Sequence, residues 1–454
     1  MTRTAIIGAG SSGITMGKAL KERGQAFDIY EKSDRIGGNW VFKNKNAMSS
    51  AYRSLHINTS RDKMCYSDFP MPADYPDYPH HEQIAAYFDA YADHFGVRDH
   101  IRFNCAVETA ERRGQGWRLT LADGTCADYD HLCVANGHHW SPRWPDPAYP
   151  GAFDGAQIHS HDYIDPHDPV AMVGKRVLIV GFGNSALDIA CELGHRGVAA
   201  QCYVSVRRGY WVMPRYFGSS VLDADFPHPA EDPPLWQRVL PRAWQMWLLQ
   251  KKIEMVAGRP DRHGLPKPDP FGSTHPAISQ DIYNRIGSGD VIIKPGIERL
   301  TGQGVRFTDG TQEDIDAIIW ATGYQIRFPF LDETVIDTRD NDVALWKRII
   351  EPDQPNLYFI GLIQPLCAIM PIAEQQAVLV ADLIAGRYAL PPVQQMKAER
   401  DAMHARIKSH YVPSARHTIQ IDCPEYTFDL RRELKRGRQR AKTQSRTSQP
   451  VAAE

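Results

Sequence analysis

The sequence of 454 residues lacks several features that would place it in a class at once. No continuous apolar run reaches the ~18 residues needed to cross a membrane, so we expect no membrane span. The formal net charge of −2 gives no reason to expect nucleic acid as a partner. None of the eight cysteines forms a CxxC pair, and we expect reduced thiols in a cytoplasmic protein. The first strand begins close to residue 1, so we also expect no signal peptide.

The sequence also lacks the familiar sets of catalytic side chains. We find no catalytic triad and no carboxylate pair in a recognisable motif. No cluster has metal-ligand spacing, and the adjacent pairs His80–His81 and His138–His139 are expected to be surface or packing residues. No metal site is therefore expected in this chain.

Two glycine-rich fingerprints stand out against these absences. Each follows a short apolar run and opens an apolar-periodic stretch, the strand–turn–helix context of a dinucleotide site. Bare glycine backbone can approach a pyrophosphate, whose charge then lies at a helix N-terminus. The first fingerprint contributes Gly8, Gly10, Ser12 and Gly13. The second contributes Gly181, Gly183, Asn184, Ser185 and Ala186.

The residues at the ends of the following strands distinguish the two sites. The strand after the first fingerprint ends with Glu31, whose carboxylate would accept hydrogen bonds from a ribose diol and repel a 2′-phosphate. The strand after the second ends with Arg207 and Arg208, which suit a 2′-phosphate. The first site is therefore predicted to bind FAD or NAD and the second NADP. Two dinucleotides in one protein indicate electron transfer between them.

The order of these segments predicts an α/β protein with two Rossmann-like dinucleotide-binding domains, the NADP domain being inserted into the FAD domain. We expect the FAD domain over 1–168 and 296–430, and the NADP domain over 169–295 with a Trp- and Pro-rich insertion at about 222–278. The basic tail, 431–454, is expected to be a frayed helix and then disordered.

The insertion contains the segment PLWQRVLPRAWQMWLLQKKIEMV, in which Trp244, Trp247, Leu248 and Met255 fall near helical spacing. We expect this helix to pack its apolar face on the NADP domain or to cover a substrate tunnel. A membrane-surface helix is a weaker alternative, because the charge is modest and Pro241 interrupts the pattern.

Several further motifs resemble those of the flavin-containing monooxygenases, and together they cover almost the whole chain. The most specific is a signature between the two fingerprints, formed by Phe153, Gly155, His159 and Tyr163. The others are GGNW with Gly38, Asn39 and Trp40; the loop LHINTSRDKMCYSDFPMP around Asn58; ATGY with Gly323; GLIQPLCAIMPIAEQQA, with Cys367 where glycine is usual; and RHTIQIDCPEY.

The resemblance implies FAD and NADPH as cofactors, and O2 with a small amine or sulfide as substrates. It implies N- or S-oxygenation through a C4a-hydroperoxyflavin. Asn58 is the residue that the resemblance places in catalysis, in contact with flavin, nicotinamide and bound oxygen, whereas His159 would organise the link between domains. The FAD contacts that we expect are Gly8, Gly10, Ser12, Gly13, Glu31, Gly38, Asn39, Trp40, Asn58, Thr59, Val107, Gly323 and Gln376.

Three alternatives remain at this stage. A Baeyer–Villiger monooxygenase would oxygenate ketones, but such enzymes usually carry Trp where this chain has Tyr163. A flavin-dependent disulfide reductase also needs two dinucleotides, but it needs a CxxC pair as well. A non-catalytic flavin-binding sensor would not consume NADPH in air. The sequence leaves the oligomeric state open, with a homodimer as one option.

Overall fold

The computed structural model describes residues 2–447, which form 22 strands and ten α-helices. The strands are β1 (Arg3–Ile7), β2 (Ala26–Tyr30), β3 (Ile101–Arg102), β4 (Val107–Arg113), β5 (Gly116–Leu121), β6 (Cys126–Tyr129), β7 (His131–Val134), β8 (Ala156–His159), β9 (Arg176–Val180), β10 (Gln201–Ser205), β11 (Val212–Met213), β12 (Tyr216–Phe217), β13 (Ser220–Val221), β14 (Ala277–Ile278), β15 (Val291–Lys294), β16 (Ile297–Leu300), β17 (Gly304–Phe307), β18 (Gln312–Asp314), β19 (Ala317–Trp320), β20 (Leu357–Phe359), β21 (Gln364–Pro365) and β22 (Gln420–Ile421). The helices are α1 (Ser11–Lys21), α2 (Arg61–Met64), α3 (His81–His94), α4 (Asn184–Leu193), α5 (Leu235–Val239), α6 (Arg242–Ala257), α7 (Ile282–Gly287), α8 (Met370–Ile384), α9 (Val393–His410) and α10 (Cys423–Thr447).

Two five-stranded parallel sheets form the framework of the molecule. The first has the strand order β20–β7–β1–β2–β3, and α1 packs between this sheet and α8. The second has the order β15–β10–β9–β19–β8, with α4 packed on β9 and β10. Strands β1, β9 and β19 are short apolar runs buried along almost their whole length, as parallel strands covered on both faces are. The fold is the predicted α/β class.

The second sheet reaches beyond the segment predicted for the NADP domain. Strands β8 and β19 lie outside residues 169–295, yet both belong to this sheet, with β19 paired to β9 and to β8. The antiparallel sheet β16–β17–β18 shares a core cluster with the same sheet through Phe307 and Val180. The chain therefore returns to the first sheet only at β20, well after the predicted residue 296, because strand pairing depends on distant partners and not on chain order.

The tail differs from its predicted disorder over the residues that the structure describes. Residues 431–447 continue α10 as a regular helix. Glu433 is buried in an ion pair with Arg440 and accepts a hydrogen bond of 2.8 Å from Tyr388. Arg438 lies 2.6 Å from the buried carboxylate of Asp382. These contacts anchor a helix whose basic composition alone suggested a solvated terminus; residues 448–454 lie outside the described range.

The expectation of a packed apolar face on the insertion helix is wrong. On α6 only Ile253 is buried, whereas Trp244 is 61% and Trp247 51% exposed. Leu248 and Met255 are also exposed. The apolar spacing identified a helix but not the elements that would cover it. Among residues 2–447, no helix has both the length and the apolar character that crossing a bilayer requires.

The cysteines also differ from the expectation of eight reduced thiols. Cys367 and Cys423 form a disulfide with their Cα atoms 6.2 Å apart. The other six are free thiols, and they are Cys65, Cys105, Cys126, Cys133, Cys191 and Cys202. The pair is separated by 56 residues in the chain, so sequence spacing gave no indication of it.

Candidate active site

The first glycine fingerprint forms the turn between β1 and α1. Gly8 has a φ of +103°, and a β-carbon there would lie 2.6 Å from the carbonyl oxygen of Ala135. A β-carbon on Gly13 would collide with the carbonyl oxygen of Gly8, and Gly10 faces Gly38 at close range. A side chain is therefore excluded at Gly8 and at Gly13, and the bare backbone of the turn can approach a pyrophosphate.

The second fingerprint forms the equivalent turn between β9 and α4. Gly181 has a φ of +125°, and a β-carbon there would collide with the carbonyl oxygen of Ala321. Gly183 is the residue immediately before α4. The side chain of Asn184 accepts a hydrogen bond of 2.9 Å from the backbone N–H of Ile278, which ties the start of α4 to the insertion. The residues present thus fit a dinucleotide at each turn.

Glu31 closes the first site as the sequence predicts, at the residue after β2. Its two carboxylate oxygens accept hydrogen bonds of 2.7 Å from the backbone N–H groups of Ala9 and Ser33. Burial raises the pKa of the Glu31 carboxyl, and these two donors oppose that shift. The carboxylate is held at the edge of the pyrophosphate turn and retains acceptor capacity for a diol.

The two arginines after β10 have different surroundings. Arg208 forms an ion pair of 3.2 Å with Asp269 of the insertion. Arg207 is exposed, and no carboxylate among residues 2–447 lies within ion-pair distance of it. Arg207 is therefore the more available of the two cations for a ligand phosphate.

Both turns open onto one cavity of about 1560 Å³. Most of the residues predicted to contact FAD line it, namely Gly8, Gly10, Ser12, Glu31, Gly38, Asn39, Trp40, Asn58, Thr59, Val107 and Gly323. All those predicted for NADP line it as well, namely Gly181, Gly183, Asn184, Ser185, Ala186, Arg207 and Arg208. The volume exceeds that of a usual small-molecule pocket and leaves space for two dinucleotides in one continuous site.

Two residues predicted as FAD contacts do not line the cavity. Gly13 is packed against Gly8 inside the turn. Gln376 is fully buried on α8, where its side chain accepts a hydrogen bond of 2.8 Å from the N–H of Gly361 and donates one of 2.7 Å to the hydroxyl of Tyr426. Gln376 thus holds the loop after β20 and does not itself face the cavity.

The four signature residues also lie outside the cavity wall. A β-carbon on Gly155 would lie 2.5 Å from the carbonyl oxygen of Asp316, so this position admits only glycine. The imidazole of His159 is completely buried at the end of β8, and burial lowers its pKa to about 4. Tyr163 is also buried and donates a hydrogen bond of 2.9 Å to Glu192 on α4. The signature therefore fixes the edge of the second sheet.

Asn58 lies on the cavity wall, in a bend just before α2, and its side chain is held by Arg215 from the segment between β11 and β12. Its Oδ1 accepts a hydrogen bond of 3.4 Å from Nη2 of Arg215. Arg215 lies 3.9 Å from Asp188 on α4, and the hydroxyl of Tyr52 donates a 2.5 Å hydrogen bond to the same carboxylate. Burial raises the pKa of Asp188, whereas Tyr52 and Arg215 favour its charged form. Sequence reasoning identified Asn58 but missed the three residues that position it.

Arg416 is a further residue that sequence reasoning missed. A β-carbon placed on Gly183 would lie 3.6 Å from its Nη1, so the guanidinium lies beside the second fingerprint at the cavity wall. Burial lowers its pKa, and it forms no ion pair with any carboxylate of residues 2–447. A half-buried cation without a counter-ion is costly unless a ligand supplies negative charge. Its only sequence signal is its position at the start of the RHTIQIDCPEY motif.

Two Rossmann-like turns that open onto one cavity define a protein of the two-dinucleotide flavoprotein class. The sequence profile described as FMO-like, flavin-binding monooxygenase-like, matches residues 1–436. The chain is 37% identical to flavin-containing monooxygenase 5 of Oryctolagus cuniculus over 441 residues, covering 92% of this chain and 80% of the relative. It is 33% identical to dimethylaniline monooxygenase (N-oxide-forming) 2 of Rattus norvegicus over 447 residues, covering 95% and 82%. The chain therefore belongs to the flavin-containing monooxygenase family.

Solved structures confirm the fold over nearly the whole chain. The S-allyl-L-cysteine S-oxygenase of Allium sativum superposes with a TM-score of 0.70 at 23% identity, covering 99% of this chain and 94% of that one. A cyclohexanone monooxygenase superposes with a TM-score of 0.70 at 16% identity, covering 96% and 98%. At such identities the likeness concerns the fold alone. Family membership makes this chain an FAD-dependent monooxygenase that uses NADPH and O2 with a small-molecule substrate.

Proposed function

We propose that this enzyme oxygenates soft nucleophiles, tertiary amines and thioethers, at the cavity shared by the two fingerprints. The observation that carries the proposal is the position of Asn58 on the wall of that cavity, tied through Arg215 to the helix of the second fingerprint. A side-chain amide there offers both donor and acceptor groups to a nicotinamide or to bound oxygen. The name of the N-oxide-forming relative supports an amine as substrate.

In this proposal the first turn holds FAD and the second holds NADPH. The carboxylate of Glu31 would accept hydrogen bonds from the ribose diol of FAD, and Arg207 would donate hydrogen bonds to the 2′-phosphate of NADPH, with Arg416 facing its pyrophosphate. When bound, NADPH supplies a hydride to the flavin, and the reduced flavin activates O2. The chain's own contribution is to orient the two cofactors and to exclude water from the space between them.

The part of the cavity beyond the two glycine turns would receive the substrate. Its wall is built by the insertion through Phe226, Met246 and Leu249, and by the start of α10 through Pro424 and Thr427. The apolar side chains suit an uncharged, lipophilic amine or sulfide, and a neutral nucleophile attacks activated oxygen without a general base. We propose on this basis that α6 covers the substrate space with Met246 and Leu249, the face opposite to its exposed tryptophans.

The test is a comparison of products on a substrate panel. FAD-loaded enzyme is incubated with NADPH in air and with N,N-dimethylaniline, methyl phenyl sulfide or cyclohexanone, and NADPH, product and hydrogen peroxide are measured together. We expect N-oxide and sulfoxide in near-equal amount to NADPH consumed, and no lactone. Lactone as the main product would favour the Baeyer–Villiger alternative, and NADPH consumption that yields only peroxide with every substrate would contradict the proposal. The cytoplasmic location and the homodimer stay predictions.

A further inference from the structure

The Cys367–Cys423 disulfide lies in the wall of the oxygenation cavity. Both cysteines line the cavity, Cys367 on the loop after β20, which includes β21 and ends at α8, and Cys423 at the first residue of α10. That loop starts at the first fingerprint, because Gly361 approaches Ser12 so closely that a β-carbon on Gly361 would collide with the serine hydroxyl. The loop then follows the cavity wall from the turn that would hold FAD to the disulfide.

The chemistry of this position is unusual for a cysteine pair. Before the bond forms, two thiols face the space in which a sulfur nucleophile is proposed to be oxygenated. A thiol is a softer nucleophile than a thioether once it ionises, and its first oxidation product is a sulfenic acid. A sulfenic acid with a second thiol beside it condenses to a disulfide. The 6.2 Å between the two Cα atoms is within the range that a disulfide spans without backbone movement.

We propose that the Cys367–Cys423 pair is a self-oxidation site, at which the enzyme forms its own disulfide during its first turnover with NADPH and O2. This inference rests on the proposed oxygenation of soft nucleophiles. One oxygen atom of O2 transfers to the sulfur of one thiol, which becomes a sulfenic acid, and the other oxygen atom leaves as water. The second thiol then attacks the sulfenic sulfur, forms the S–S bond and releases the second water. Two thiols, NADPH, one proton and O2 thus give a disulfide, NADP⁺ and two waters.

The two cysteines have different roles in this sequence. Both cysteines line the cavity, but Cys367 is the more exposed of the two, so it receives the oxygen atom. Cys423 is only 8% exposed and resolves the sulfenic acid. Cys105 lines the same cavity, but its backbone N–H donates a hydrogen bond to the carbonyl oxygen of Glu31. This contact places Cys105 beside the ribose end of the first site. Cys105 is therefore expected to stay a thiol, and its labelling shows whether oxidation is confined to the Cys367–Cys423 pair.

The bond secures a wall that weaker contacts already hold. Asp422, the residue before Cys423, forms an ion pair with Arg242 of α6. Tyr426, one turn into α10, accepts a hydrogen bond from Gln376 and donates one to the carbonyl oxygen of Lys347. The disulfide adds a covalent link between α10 and the loop after β20. Its formation marks an enzyme that has completed one oxygenation cycle without external substrate.

The experiment follows the thiols directly. FAD-loaded enzyme is prepared anaerobically with a phosphine reductant, which is then removed, and the starting thiols are confirmed by alkylation and peptide mass. The enzyme is exposed to NADPH in air without substrate, in parallel samples with and without catalase, and each sample is alkylated over time. We expect both Cys367 and Cys423 to lose their label in step with the first equivalent of NADPH, while Cys105 and the exposed Cys126 keep theirs. Samples without NADPH, or without O2, are expected to keep all labels.

Sulfoxide formation from methyl phenyl sulfide by the same preparation separates the two proposals. If sulfoxide forms while the pair remains reduced, self-oxidation is refuted and the proposed function stands. If neither occurs, the proposed function itself fails. Loss of label that catalase prevents would also overturn self-oxidation, because diffusing peroxide would then be the oxidant. Cys423→Ser should trap a sulfenic acid at Cys367 that dimedone labels, whereas Cys367→Ser should give no adduct at Cys423. Cys126→Ser is the matched control and should behave as the unaltered chain.

Discussion

The guanidinium of Arg215 lies 3.4 Å from the side-chain oxygen of Asn58, although 157 residues separate the two in the chain. Arg215 also approaches Asp188 on the helix of the second fingerprint. A residue expected to face the flavin is thereby linked to the element that would hold the nicotinamide cofactor. This link couples the geometry of the two cofactor sites through three side chains.

Asn58→Ala should leave FAD bound but uncouple NADPH oxidation from oxygenation. Loss of the amide removes about 1–3 kcal/mol of hydrogen-bond stabilisation in a buried site, which corresponds to roughly one to two orders of magnitude in rate. Peroxide should replace product on both a tertiary amine and a thioether. Asn284→Ala, at an exposed asparagine on α7, is the matched control. Unchanged coupling on every substrate would show that Asn58 is only a bend residue.

Arg215→Met should reproduce part of the Asn58→Ala effect because the amide loses its partner. Arg215→Lys keeps the charge and should restore some of the coupling, although a lysine cannot reproduce the geometry of the guanidinium. The double variant Asn58→Ala/Arg215→Met should be no worse than Asn58→Ala alone, since both changes act on one contact. Additive losses in the ratio of product to NADPH would show that Arg215 acts independently of Asn58.

Arg207→Ala should raise the KM for NADPH by roughly tenfold or more and leave that for NADH nearly unchanged. The reason is the loss of charge-assisted bonds to a 2′-phosphate, worth about 1.5–3 kcal/mol. Arg208→Ala provides the comparison: its ion pair with Asp269 makes it the less available cation, so a smaller effect is expected. The measurement is the KM for each cofactor in steady-state kinetics. Equal effects of Arg207→Ala on the KM for NADPH and for NADH would refute the proposal that Arg207 binds the 2′-phosphate.

Arg416→Ala should weaken the binding of NADPH and of NADH by a similar factor, because the Arg416 guanidinium faces the glycine turn and not the 2′-phosphate end. Binding of the oxidised cofactors to FAD-loaded enzyme can be measured by calorimetry without turnover. A loss confined to NADP⁺ would place Arg416 at the 2′-phosphate. Unchanged affinity for both cofactors would contradict the placement of Arg416 at the pyrophosphate.

The stability of the protein should fall as the pH drops from about 6.5 to about 4, in part because of His159. Burial lowers the pKa of His159 to about 4, so in this window the unfolded chain binds a proton that the folded chain does not. The free energy of unfolding should lose about 3 kcal/mol through this residue across the window. His159→Gln should lessen that slope in urea titrations, whereas the exposed His410→Gln should not. If the free energy of unfolding depends on pH identically in the unaltered chain and in both variants, His159 does not contribute as proposed.

Local patterns predicted the parts of the fold that depend on neighbouring residues. Each glycine turn is fixed by the strand before it and the helix after it, so Gly8 and Gly181 could be placed from the sequence, as could Glu31 after β2. The membership of β8 and β19 in the second sheet could not, because their pairing partners are far away in the chain.

The rest of the site could not be predicted because it depends on tertiary contacts between distant segments. Arg416 reaches the second fingerprint from more than 200 residues away, and nothing in its own neighbourhood indicates a phosphate. The Cys367–Cys423 bond and the order of residues 431–447 likewise arise from contacts of α10 with the loop after β20 and with α8. Spacing on α6 marked its apolar residues but not which of them would face solvent.

The most direct test of oxygenation within the cavity is the origin of the oxygen atom in the product. FAD-loaded enzyme is supplied with NADPH and methyl phenyl sulfide under ¹⁸O2 in ordinary water, and the sulfoxide is analysed by mass spectrometry together with the NADPH consumed. We expect essentially every sulfoxide to carry one ¹⁸O atom, and sulfoxide and NADP⁺ to form in equal amounts, both with and without catalase. Sulfoxide without the label, or its disappearance when catalase is added, would contradict oxygenation within the cavity.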